Sequence, residues 1–129
     1  MRIRHRGALL AIGLLACSGT TSEPDTCAGP IAIEVGSGTR PMVSWTPACG
    51  ATTIMVIDAS NAVALPLWTV FAAPGDIPPP IRYGSSPSGV LAIVGIDSLT
   101  IGGSYVVYVS RGLRAQPGAG SDSLRFVAR

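Results

Sequence analysis

The chain has 129 residues, with nine arginines, no lysine, seven carboxylates, one histidine and a formal net charge of +2. That length holds a single domain. Sixteen glycines and eleven prolines are spread along it at intervals that break most helices, which excludes a mainly helical fold.

At the N-terminus, Arg2, Arg4, His5 and Arg6 precede an apolar run from Ala8 to Ala16. A basic start, a short apolar core and a small residue before a cut make a secretory signal peptide, residues 1–16. The run is about half of the roughly 20 residues that a spanning helix needs. Leu14-Leu15-Ala16-Cys17 resembles the lipobox of bacterial lipoproteins, with Leu15 standing where a smaller residue is more usual. The resemblance implies that Cys17 is acylated, becomes the first mature residue and anchors the protein to a membrane. A single acyl chain holds only marginally, and the family carries more than one on this cysteine. In Gram-negative members an Asp after the cysteine retains the protein in the inner membrane. Ser18 in that place implies the outer membrane, on its periplasmic or surface face.

Residues 17–28 carry the lipidated cysteine and a polar tether without periodicity. As a flexible coil, its segment 18–26 reaches roughly 15–18 Å and keeps the domain, residues 29–129, close to the membrane. From there the pattern is β throughout. Ile31, Ile33 and Val35 alternate with Ala32 and Glu34, and a turn follows at Gly36-Ser37-Gly38-Thr39. Val43 and Trp45 alternate with Ser44 in a second strand that Pro47 halts. Further strands are predicted over Thr53–Asp58, Leu65–Phe71, Val90–Ile96, Tyr105–Val109 and Leu124–Val127. Seven short strands separated by turn signals predict an all-β, immunoglobulin-like sandwich.

Cys27 and Cys49 lie eleven residues either side of residue 38, the expected centre of the first hairpin. Residues equidistant from an antiparallel turn face one another, so the two are predicted to form a disulfide just beyond the paired region. Closing that loop contributes about 3 kcal/mol in the chain-entropy model. Lipid on Cys17 and a bond between the other two account for all three cysteines in an oxidising compartment.

Two motifs resemble the fibronectin type III family. Val43-Ser44-Trp45-Thr46-Pro47 matches its strand-B tryptophan followed by proline. Leu99, Tyr105, Val107 and Val109 match its second signature, although Ile101 stands where a proline is usual and Gly103 where a threonine is common. The resemblance covers about residues 29–128. It implies a seven-stranded sandwich with Trp45 buried between the sheets and the Tyr105 hydroxyl tying down the preceding corner.

Chemistry is sparse. With residues 1–16 removed, six arginines face seven carboxylates, and no clustered basic face remains to neutralise nucleic-acid phosphates. His5 leaves with the signal, which removes Ser–His and Cys–His nucleophile systems and imidazole metal ligands. Glu34, Asp58, Asp76, Asp97 and Asp122 stand singly, mostly in expected turns, where Asp serves turn chemistry. Gly36-Ser37-Gly38 and Gly118-Ala119-Gly120 lack the lysine and strand–loop–helix setting of a phosphate loop. No catalytic residue, metal site or cofactor is expected, and the protein is read as not an enzyme.

Three features can carry contacts. The irregular stretch from Ala73 to Gly89 holds five prolines with Arg82 and Tyr83, and either presents Tyr83 to a partner or protects a sheet edge. Along the fourth strand, Leu67 and Phe71 face one way while Trp68 and Val70 face the other. One set fills the core; the other, with Trp68 as the candidate, is an apolar surface strip on an expected edge strand unless the proline stretch covers it. The Arg111–Asp122 loop offers Arg111 and Arg114. The expected function is adhesion, assembly or scaffolding by an envelope lipoprotein, with a protein or glycan partner. The alternative is an accessory glycan-binding module, which needs Trp68 and Tyr83 exposed together as a stacking platform.

Overall fold

Eight strands and no helix form the residues that the computed structural model describes, namely Cys27, 29–61, Val63, 65–72, 77–112 and 120–129. They are β1 (Ala32–Val35), β2 (Met42–Thr46), β3 (Thr53–Asp58), β4 (Trp68–Phe71), β5 (Ile81–Arg82), β6 (Leu91–Val94), β7 (Ser104–Arg111) and β8 (Gly120–Val127). Two antiparallel sheets result, one ordered β1-β2-β5 and one ordered β6-β4-β3-β7-β8, in a sandwich-like arrangement. The signal peptide, residues 17–26 and 28 of the anchor and tether, and Arg114 lie outside the described residues.

Side-chain alternation decides what each strand buries. Val43 and Trp45 of β2 meet Ile54 and Val56 of β3, Trp68 and Val70 of β4, and Tyr105, Val107 and Val109 of β7 in one core. Full burial of each such side chain stabilises by about 1.5–3 kcal/mol. Trp45 also satisfies its indole N–H, which donates to the Cys49 carbonyl at 2.7 Å.

The first hairpin is centred one residue later than expected. Ile33 pairs with Trp45 and Val35 with Val43, which places the midpoint at residue 39 and not 38. The offset does not prevent the disulfide. Cys27 and Cys49 are bonded across a Cα–Cα distance of 5.8 Å, beyond the last pair Ala32–Thr46 where register no longer binds them.

At the far end of β7 the Tyr105 hydroxyl accepts from the Thr100 N–H at 3.0 Å and so holds the turn that enters the strand. Gly103 is needed there for space: a Cβ on it would stand 2.8 Å from Tyr105 ring carbons. Leu99 is buried beneath the same corner.

Strand number and boundaries differ from the sequence reading in physically simple ways. The proline stretch contains β5, a two-residue strand that pairs Ile81 with Val43 and Arg82 with Met42. Three consecutive prolines, Pro78-Pro79-Pro80, precede it and confine it to that length and to the sheet edge. β4 begins at Trp68 and not at Leu65, because Pro66 interrupts the run. β7 and β8 extend to eight residues each by pairing from Ser104–Val127 to Arg111–Gly120, past the apolar segments that announce them.

Candidate functional site

Trp68 and Tyr83, both candidates for surface contact, are core residues. Both are fully buried, with ring centroids 5.4 Å apart and planes tilted by 59°. The Trp68 indole N–H donates to the Ser85 carbonyl at 3.1 Å, and the Tyr83 hydroxyl donates to the Ile96 carbonyl at 2.9 Å. Burial, followed by the influence of Tyr105 and Asp97, pushes the Tyr83 phenol up to about 12. The proline stretch thus covers Trp68 from above, and the aromatic pair seals the sandwich. β4 is also not an edge strand, since β6 lies beside it.

Arg111 is likewise not a loop contact. It is the last residue of β7, points inward like Val107 and Val109, and is 2% exposed. Its Nη2 donates to the Gly29 carbonyl at 3.1 Å, while the buried Nε and Nη1 find no hydrogen-bond partner among the described residues. The period-two alternation that buries three residues of β7 carries the fourth, a cation, into the core with them. Arg82 does lie on the surface, where its Nη1 donates to the Arg40 carbonyl at 3.2 Å.

The surface strip exists, but on the other side of β4. Phe71 is 47% exposed, and on β6 Leu91 is 64% and Ile93 62% exposed. Pairing places Leu91 beside Phe71 and Ile93 beside Thr69, and Phe71 in turn beside Thr53 of β3. On the next row Met55 joins Thr69 to Tyr108 of β7, a partly exposed ring. The outer face of the five-stranded sheet is therefore apolar at its β6 end and grades into Ser110, Ser121 and Ser123 towards β8. The signal for this strip was in the sequence: Leu67 and Phe71 form one of two apolar sets, and no charge occurs between Tyr83 and Ile96.

Two concavities flank the sandwich. One, of about 400 Å³, lies between the β1–β2 turn and the end of β8, lined by Val35, Ser37, Arg125, Phe126 and Arg129 among others. The second, of about 350 Å³, is walled by Ile77, Pro78, Pro80 and Pro87 of the proline stretch and by Val90 just after it. Neither brings an acid to a base or a nucleophile. Asp58 accepts from the backbone N–H and hydroxyl of Ser60 at 2.8 and 2.6 Å, which holds its carboxyl below the usual carboxylate range and assigns it to a turn. Among the described residues no three His, Cys, Asp or Glu side chains gather as a metal site. No helix among them is long and apolar enough to cross a membrane. No protein-family model matches the chain, and comparison with curated proteins and with solved structures finds no match either.

Proposed function

We propose that the chain is a bacterial envelope lipoprotein, anchored to the membrane by lipid on Cys17, whose sandwich of the fibronectin type III kind acts by contact and not by catalysis. The observation that carries this reading is the Cys27–Cys49 disulfide. It suits an oxidising compartment, and it leaves Cys17, at the end of the apolar run, as the remaining cysteine of three. The family assignment within sandwiches rests on buried Trp45 ahead of Pro47 and on the Tyr105 corner with buried Leu99. Ser18 favours the outer membrane where there are two.

The contact surface on this reading is the outer strip of Phe71, Leu91 and Ile93, a set of apolar side chains that water does not stabilise. Adhesion, assembly or scaffolding follows from such a surface. The accessory glycan-binding reading is weakened because Trp68 and Tyr83 are buried. It would need Phe71 and Tyr108, which stand on either side of β3.

Metabolic labelling with a fatty acid tests the anchor. Label is expected on the parent chain and none on Cys17→Ser, whose product is soluble or unprocessed. Label that persists on Cys17→Ser sinks the lipoprotein reading.

A further inference from the structure

We infer that β6 is a self-pairing edge, through which two copies of this chain join their five-stranded sheets into one. The inference starts from the four strand edges of the sandwich, β1 and β5 in one sheet and β6 and β8 in the other. Exposed edges normally carry charge, proline, a bulge or extreme shortness, because their unpaired backbone groups template association. β1 carries Glu34; β5 is two residues long with prolines before it and Arg82 within it; β8 carries Asp122 and Arg125. β6, Leu91-Ala92-Ile93-Val94, carries neither charge nor proline, and its bulge, where the Gly95 and Ile96 N–H groups both donate to the Leu67 carbonyl, lies past the end of the strand.

The backbone hydrogen bonds fix which β6 groups are free. Gly95 N–H donates to the Leu67 carbonyl at 2.9 Å, and these residues fall in the same register as Ile93–Thr69 and Leu91–Phe71. Ala72 N–H donates to the Thr52 carbonyl at 2.9 Å, so Ala72, Val70 and Trp68 direct their backbone groups to β3 and the residues between them direct theirs to β6. Bonding alternates along an antiparallel strand. Leu91, Ile93 and Gly95 therefore bond β4, and Ala92 and Val94 present N–H and C=O outward.

A second β6 is the occupant that matches this edge in length, in parity and in charge. An antiparallel pair of β6 strands about a two-fold axis at Ile93 sets Ala92 of each copy opposite Val94 of the other, giving four N–H···O bonds. Each alternative self-pairing sets charges on the axis or beside it: Glu34 at β1, Arg82 at β5, and Asp122 and Arg125 at β8. None occurs at β6, so this edge meets its own image without like-charge repulsion. The same register brings the exposed Ile93 side chains together and joins the Phe71, Leu91 and Ile93 strips of both copies into one apolar band. Four-residue strands bury less than the roughly 1,200 Å² of a standard stable interface, so the association is concentration-dependent, and anchoring both copies to one surface strengthens it.

Cysteine cross-linking of the full chain in its own envelope tests this. Directly opposed residues of a non-hydrogen-bonded pair have Cα atoms about 4.5 Å apart, within disulfide range. Ile93→Cys is expected to run mostly as a disulfide dimer on a non-reducing gel, well above the background of the parent chain. Leu91→Cys, equally exposed, places its two copies roughly 14 Å apart and is expected to stay at background. Adding Ala92→Pro removes an outward N–H without touching the bonds to β4, and should return Ile93→Cys to background. Sedimentation of the purified chain supplies a readout independent of new cysteines: the parent is expected to dimerise with concentration and Ala92→Pro to remain monomeric with unchanged thermal unfolding. A monomeric parent at all concentrations, absence of the Ile93→Cys dimer, or equal cross-linking by Leu91→Cys overturns the inference.

Discussion

Trp68 and Phe71 sit three residues apart on β4 and live in opposite environments. Trp68 faces the three-stranded sheet, packs against the tilted ring of Tyr83 and donates its indole N–H to Ser85. Phe71 faces away, beside Leu91, with nearly half its surface in water. Both rings are apolar, so hydrophobicity does not separate them; what does is which side of the sheet receives a second layer. The inner face is closed by the proline stretch, and the outer face is left exposed.

The largest effect that would break this comparison is in stability. Trp68→Ala should destabilise the domain by about 3–5 kcal/mol, through lost transfer energy and the cavity left behind. Phe71→Ala should shift it by no more than about 1 kcal/mol, since little of its burial is lost. Chemical denaturation of the two variants checks both values. Equal costs would mean that the outer face is packed in the native protein, and the contact surface would have to move.

A smaller effect sharpens the inner face. Arg111 holds two buried guanidinium nitrogens without partners among the described residues, a cost that an apolar side chain of similar length removes. Arg111→Met is expected to raise the unfolding midpoint, by the equivalent of about 1 kcal/mol, despite loss of the bond to Gly29. A fall in the midpoint would show that the charge is compensated and contributes to the fold.

A last effect appears mainly in alkali. The Tyr83 phenol is raised from 10.0 to about 12, so the folded state keeps its proton where the unfolded chain has lost it. Its contribution is fully present below about pH 10 and is lost as pH rises towards 12. Thermal unfolding should therefore weaken across that window, and Tyr83→Phe should flatten the fall, at a cost near pH 7 of about 1 kcal/mol for the bond to Ile96. An unchanged alkaline slope in Tyr83→Phe would place the phenol in contact with water.

Alternation alone identified most strands, since Ile33 with Val35, Val43 with Trp45 and Ile54 with Val56 announce a period of two that survives in the folded chain. Cysteine spacing found the bond between Cys27 and Cys49 even though the hairpin centre is displaced by one residue, because the pair lies past the last paired residues and tolerates the slip. The Tyr105 corner was legible through the resemblance to fibronectin type III motifs, and the hydrogen bond that closes it spans five residues. Local spacing can specify local geometry. The faces were not legible. Leu67 with Phe71 and Trp68 with Val70 are two apolar sets on one strand, and period two states only that they oppose each other. The pairing of β4 with β6, the return of the proline stretch to bring Tyr83 onto Trp68, and the inward turn of Arg111 all depend on residues far apart in the chain. Those long-range contacts chose the core face, and with it the face left exposed to solvent.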